Sequence, residues 1–221
     1  CEHLVSIGHN ITVLDDLSSG HKRNLESVLS VIDLYEEKIE SFNFNKLSNI
    51  DSVVHLAAQV SVPVSIDNFG SSSMSNLSGT IKVIDFCRRY RLPLVYASSS
   101  AVYGNLDFGD DVESSVDLLS PYAADKYVME LYVKVAYQRY DLSSIGLRFF
   151  NVYGPRQDPS SAYSGVISIF CDRLLKDKNI TIKGGFQTRD FIYVKDVVDA
   201  IYKSLTIACQ NILCEHINVL T

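Results

Sequence analysis

Tyr122 and Lys126 stand four residues apart in the segment Ser120-Pro121-Tyr122-Ala123-Ala124-Asp125-Lys126. On a helix this spacing puts both side chains on one face, roughly 5–6 Å apart at Cβ. An ammonium beside a phenol favours the phenolate and draws its pKa from about 10 towards neutrality. A base poised near the working pH is what removing a proton from an alcohol requires. The same spacing also describes an ordinary surface pair, so the preceding segment carries weight. There Leu94-Val95-Tyr96-Ala97 runs into Ser98-Ser99-Ser100-Ala101-Val102-Tyr103-Gly104. Serine clusters usually make turns. One that closes an apolar run upstream of a Tyr-x-x-x-Lys helix is a much rarer conjunction, and it points to a site where hydroxyls meet the Tyr–Lys pair.

The elements that must position these groups follow from periodicity. Short β-branched runs at Ile11–Asp15, Val31–Tyr35, Ser52–Leu56, Leu92–Ala97 and Ser144–Phe150 predict strands. Between them lie helical patterns, clearest at Met74–Tyr90 and Tyr122–Tyr140. In the first, Leu77, Ile81, Ile84 and Cys87 recur at steps of three and four, giving one apolar stripe. Pro121 suits a first helical position of the second. Strands apolar nearly throughout, separated by helices, imply a parallel sheet covered on both faces, a doubly wound α/β fold. Gly70–Ser73 reads as a flexible loop. After Asn151 the pattern changes to turns, a helix at Val166–Asp177, a short strand near Ile180, a Gly184-Gly185 turn and a helix at Asp196–Ala208, with Asp196 suited to capping. Residues 1–150 therefore read as one Rossmann-type domain, and residues 151–221 as part of a smaller region over the carboxyl edge of the sheet, where open α/β folds bind ligands.

The opening differs from a complete dinucleotide-binding fold. Cys1–Ile7 reads as the tail of a helix that a first strand and a glycine-rich turn should precede. None of the eleven glycines forms such a turn, so the chain is expected to be truncated. Composition excludes other classes. The 221 residues are 47% hydrophobic and 21% charged, ordinary for a soluble enzyme. No run approaches a membrane span, and the net charge of -6 lacks the clustered positive face that nucleic acid demands. Cys1, Cys87, Cys171, Cys209 and Cys214 show no metal-ligand spacing and read as free thiols of a cytoplasmic protein. No metal is expected.

From end to end the chain resembles the extended short-chain dehydrogenases/reductases that act on nucleotide sugars. Val13-Leu14-Asp15-Asp16-Leu17-Ser18-Ser19-Gly20 is similar to that family's second-strand segment. The resemblance implies that Asp15 holds the adenosine ribose, favouring NAD over its phosphorylated form, with Asp16 and Ser18 alongside. His55-Leu56-Ala57-Ala58-Gln59 matches a motif whose small residues admit the cofactor, giving Leu56, Ala57 and Ala58 as contacts and His55 as a packed strand residue. Asn76, Ala97, Ser98 and Phe149 complete the implied NAD contacts, together with Tyr122 and Lys126. Two departures stand out: the missing glycine-rich turn, and Glu37-Lys38-Ile39 where the family carries Gly-Asp-Ile, which leaves Ile39 beside the adenine without the acid.

The resemblance also implies a substrate site. Leu147–Pro155 and Thr188–Val194 resemble segments in which Asn151 contacts, and Arg189 grips, a diphosphate; a guanidinium fork suits that work. Val166 is expected near the same ligand. Dehydratases of the family carry an acidic pair after the first serines, whereas this chain has Ser100-Ala101. That favours C4 epimerisation of a UDP-sugar. Tyr122 would deprotonate the 4-hydroxyl, Ser100 would share the proton path, and Lys126 would hold the nicotinamide ribose. Val60–Ile66, Gly154–Pro159 and Ala162-Tyr163 look most like UDP-N-acetylglucosamine 4-epimerases. A dehydratase, a decarboxylase or a non-catalytic NAD module are the alternatives, and the family's habit predicts a homodimer.

Overall fold

The computed structural model describes residues 1–106, 109–112, 115–161, 164–182 and 184–221. Ala162-Tyr163, part of the subfamily motif, lies outside the described residues. The centre is a parallel sheet of β3 (Val53–His55), β4 (Leu94–Ser99), β5 (Ser144–Phe149) and β8 (Cys214–Val219), in that order. Every residue of β4 is buried. Its side chains alternate between two cores, as strand geometry demands. Leu94 and Tyr96 join Cys87, Met129 and Val133 beneath α3 (Phe69–Tyr90) and α4 (Pro121–Tyr140). Val95 faces the other way, meeting Ile145, Leu147, Val197 and Ala208 beneath α6 (Val194–Gln210). Each such side chain contributes roughly 1.5–3 kcal/mol through burial, so strands apolar on both faces are locked between helical layers. The doubly wound α/β architecture is therefore the one the apolar runs imply.

A separate parallel pair, β1 (Ile11–Leu14) with β2 (Ile32–Tyr35), follows the short α1 (Glu2–Ser6). β1 and β3 are not hydrogen-bonded to each other. A third parallel pair, β6 (Asn151–Tyr153) with β7 (Phe191–Tyr193), stands over the end of the central sheet, with α5 (Val166–Leu175) between them in sequence. Among the described residues no helix is long and apolar enough to cross a membrane.

Several expectations need correction. Gly70–Ser73 is not a loop but the first turn of α3. Ser71 and Ser72 escape the usual helix penalty by donating their hydroxyls to the Asn68 carbonyl and the Gln59 side chain. Among the described residues no strand forms near Ile180; the strand of that region is β7, an aromatic-rich Phe-Ile-Tyr run. Asp196 lies inside α6 rather than capping it, since that helix begins directly from β7 at Val194. Val62–Asp67 forms α2, capped by Ser61, whose side chain accepts from the Val64 amide.

The two helices that matter most for the site are well bounded. Ser120 caps α4 by accepting from the Ala123 amide, Pro121 occupies its first turn, and Asp141 ends it in a left-handed conformation at φ 54°. Gly146 in β5 is fixed by close approach: a Cβ there would stand 2.6 Å from the Tyr96 hydroxyl, which hydrogen-bonds His216 at 2.8 Å.

Candidate active site

β4 extends two residues beyond the sequence expectation, to Ser99, before turning into a short 3-10 segment at Ser100–Tyr103. That extension decides which serine meets the helix. Of the three serines it is Ser99 whose side chain acts on the Tyr122 phenol, opposing the rise in pKa that burial causes. Ser99 also accepts from the Ala101 amide at 3.1 Å, which fixes its rotamer. Ser100 opens the turn instead.

Tyr122 is buried, and its backbone amide donates to the Ser65 hydroxyl at 3.2 Å, a fully buried contact from α2 that sequence reasoning missed. Lys126 is buried too. Its ammonium donates to the Ala97 carbonyl at 2.8 Å and sits 5.7 Å from the centre of the Tyr122 ring. The expectation that Lys126 draws the phenol towards neutrality is not met. Burial raises the Tyr122 pKa, with the Ser99 hydrogen bond opposing it, because the ammonium lies over the ring and is aimed at a carbonyl. Lys126 itself is lowered to about 8, chiefly by burial, with the Asp125 carboxylate pulling the other way. Its remaining N–H donors are free of protein partners among the described contacts and suit a pair of ribose hydroxyls.

The remaining predicted cofactor residues divide in two. At the end of β1, Asp15 is half-buried and accepts from the Leu17 amide at 2.8 Å, while exposed Asp16 accepts from the Ser18 amide at 2.9 Å. The Ser18 hydrogen bonds lower the Asp16 pKa against a smaller burial effect. Leu56 and Ala57 are exposed and Ala58 half-buried just past β3, and Phe149 is half-buried at the end of β5. Each follows or closes a strand at its carboxyl end, and Ala97 lies in β4 two residues before that strand's end. Two others are committed to the interior. Asn76 is buried, accepting from the Gln59 amide at 2.8 Å and donating to Asp125 at 3.1 Å, so it shapes the turn after β3. Ser98 donates to Glu130 at 2.6 Å. Ile39 packs against the α3 core beside Gly79. His55 is a packed strand residue, bonded to Thr80 at 3.1 Å and held neutral with its pKa lowered to about 3, by burial first and the Lys126 charge second.

On the substrate side, pairing of β6 with β7 sets Asn151 opposite Phe191, two residues from exposed Arg189. Asn151 Nδ2 donates to the Asp190 carbonyl at 2.8 Å, and Val166 is exposed at the start of α5. Nearby, a cavity of about 150 Å³ separates Ser19, His21 and Asn24 from the loop carrying Arg156, Gln157 and Asp158. His21 contacts Asp158 at 3.2 Å, and Arg156 forks onto Glu2 and reaches the Asn24 carbonyl, strapping that loop across the turn after β1. A larger cavity, about 550 Å³, lies along β8 and α4 and shares no lining residue with the Ser99–Tyr122–Lys126 cluster.

A phenol and an ammonium on one helix thus stand at the carboxyl end of β4, next to its closing serines. Residues 1–219 match the model of the NAD dependent epimerase/dehydratase family. The chain belongs to that family. It is 34% identical over 220 residues to a UDP-glucose 4-epimerase of Mycolicibacterium smegmatis, an alignment covering 92% of this chain and 67% of that one. It superposes with a TM-score of 0.87 on a UDP-N-acetylglucosamine 4-epimerase from Methanobrevibacter ruminantium in complex with UDP-N-acetylmuramic acid, at 34% identity over 96% of this chain and 68% of that one. A Thermus thermophilus UDP-glucose 4-epimerase in complex with NAD gives 0.84 at 33% identity, covering 100% and 72%. The chain spans about two thirds of the length of the curated relatives it matches.

Proposed function

We propose that the whole protein is an NAD-dependent UDP-sugar 4-epimerase, with UDP-glucose or UDP-N-acetylglucosamine as the sugar nucleotide. Convergence of Ser99 and Tyr122 above Lys126, with Ser100-Ala101 following in place of acids, is the observation that carries this reading. Asp15, Asp16 and Ser18 would hold the adenosine ribose, Leu56, Ala57, Ala58 and Phe149 the dinucleotide between its ends, and Lys126 the nicotinamide ribose. NAD, when bound, supplies a reversible hydride acceptor and a positively charged ring. Tyr122 takes the proton of the sugar 4-hydroxyl, and Ser99 hydrogen-bonds the same oxygen and steers the proton. Inversion at C4 needs the hydride exchange that NAD would supply: C4 would lose hydride and regain it on its opposite face once the 4-keto sugar has turned, while Tyr122 gives the proton back to O4. Asn151 and Arg189 bind the diphosphate, which leaves the sugar free to rotate. Because burial raises the Tyr122 pKa and the Lys126 ammonium is turned to the Ala97 carbonyl, proton transfer would depend on the positive ring that bound NAD brings to the pocket.

The protein pairs, in this reading, through the outer faces of α3 and α4, where Met74, Ile81, Leu131, Tyr132 and Val135 are exposed side by side along two long packed helices. Residues 1–150 form the cofactor domain together with α6 and β8, and the segments around Asn151, Val166 and Arg189 form the sugar-nucleotide side.

Incubating the whole protein with NAD and each UDP-sugar, then separating products by chromatography and mass, tests the reaction. A 4-epimer of unchanged mass is expected. A product lighter by water would make the protein a dehydratase, and one lighter by carbon dioxide a decarboxylase.

A further inference from the structure

Glu130 and Arg148 form an ion pair whose side chains are 3% and 1% exposed, deeper than any other pair among the described residues. Neither takes part in the proton path above. Burying such a pair gains little stability compared with well-packed apolar residues, so its retention asks for another reason. The geometry supplies one. Arg148 Nε and Nη2 fork onto the two carboxylate oxygens of Glu130 at 2.9 and 2.7 Å. Glu130 Oε1 also accepts from the Ser98 hydroxyl at 2.6 Å. The third arm, Arg148 Nη1, donates to the Tyr103 hydroxyl at 2.8 Å, and Tyr103 donates onward to Asn218 at 2.7 Å. Ser98 directly precedes Ser99, and Tyr103 ends the 3-10 turn that follows it. The turn bearing Ser99 is therefore tied down on both sides by the same ion pair.

Glu130 also belongs to α4, one helical row with Tyr122 and Lys126 at steps of four. Two successive residues of β4 meet that row, Ala97 through Lys126 and Ser98 through Glu130, and Ser99 follows them directly at the strand's end. We propose that Glu130 and Arg148 are positioning residues, which set the distance between the Ser99 hydroxyl and the Tyr122 phenol by clamping both ends of the serine turn to the catalytic helix. Ser98 and Tyr103 are the two arms of the clamp. The proposal rests on the epimerase reading for its kinetic consequence, though not for its geometry.

The test loosens the arms and leaves the ion pair in place. In the whole protein with NAD, Ser98→Ala and Tyr103→Phe are each expected to lower kcat about tenfold, with KM for the UDP-sugar changed less than about twofold, since misplacing a reacting group by about 1 Å costs up to about a hundredfold. Ser98→Thr, which keeps a hydroxyl, should recover most of the loss. An unchanged kcat in both variants, even with a lower Tm, would overturn the clamp and leave Glu130 and Arg148 purely structural. A second measurement needs no turnover. Carbon NMR of labelled tyrosine, assigned with Tyr122→Phe, follows the Tyr122 titration, which should move upward in Ser98→Ala as the Ser99 hydrogen bond weakens. A parent that forms no epimer yet shows this shift would sink the proposed function and keep the clamp; a titration identical in parent and variant would sink the clamp whatever the activity.

Discussion

At the residue scale the types of the candidate groups could be read before their exact positions could. A serine, a tyrosine and a lysine were all legible, because a Tyr-x-x-x-Lys row and a serine cluster are chemical statements. Which serine was not legible, since that depended on where β4 stopped. Replacing Ser99 by Ala is expected to lower kcat about a hundredfold or more, in the range of a lost proton-transfer partner, and Ser100→Ala far less. Steady-state rates of the two variants compared side by side would decide it. Tyr122→Phe should reduce kcat by at least about a thousandfold while UDP-sugar binding, followed by calorimetry, persists. Lys126 makes a pH prediction. Its folded pKa of about 8 lies below the ordinary 10.5, so between those values the unfolded chain binds more protons and stability rises with pH. Below about 8 the full cost of burying the charge is present. Lys126→Met should thus raise Tm relative to the parent most near pH 7, with the difference shrinking towards about pH 10; a constant difference across that range would refute the assignment.

At the scale of elements, long periodic segments were readable and short ones were not. α3 and α4 follow from their stripes and stops, and β4 and β5 from runs of β-branched and aromatic residues. α2, β6 and β7 span only six, three and three residues, too few for a period to declare itself. Their positions come from tertiary contacts, such as the Asn151 amide donating to the Asp190 carbonyl. Gly70–Ser73 misled for the opposite reason: its composition signals a loop, but the Asn68 carbonyl and the Gln59 side chain accept from the Ser71 and Ser72 hydroxyls. The link between α4 and β5 carries a stability prediction. Arg148→Met leaves the Glu130 carboxylate buried and unpaired, and should cost about 3–5 kcal/mol in chemical denaturation. Pairing it with Glu130→Leu should recover most of that loss; a double variant no more stable than the single one would show that the packing there does not tolerate apolar replacement.

For the molecule as a whole, the layered α/β plan was legible because apolar runs without alternation can only be strands covered twice. Its division, among the described residues, into three hydrogen-bonded sheets was not, since pairing partners lie far apart in the chain. The proposed pairing surface predicts a particle of two chains in light scattering, and Leu131→Glu combined with Val135→Glu should halve its mass with the helical content retained. A monomeric parent would remove that surface from consideration.

Among the described residues the central sheet contains no hairpin: β4 waits for β5, and β5 for β8, each from beyond an intervening helix. Nothing in it can zip up locally, so folding is expected to fall in the slow regime of distant pairings. Until β8 docks, a newly made chain displays the ladder of Val95, Ile145 and Leu147 to its neighbours. Recombinant yield should accordingly respond to growth temperature and chaperone supply more steeply than the finished molecule's Tm would suggest.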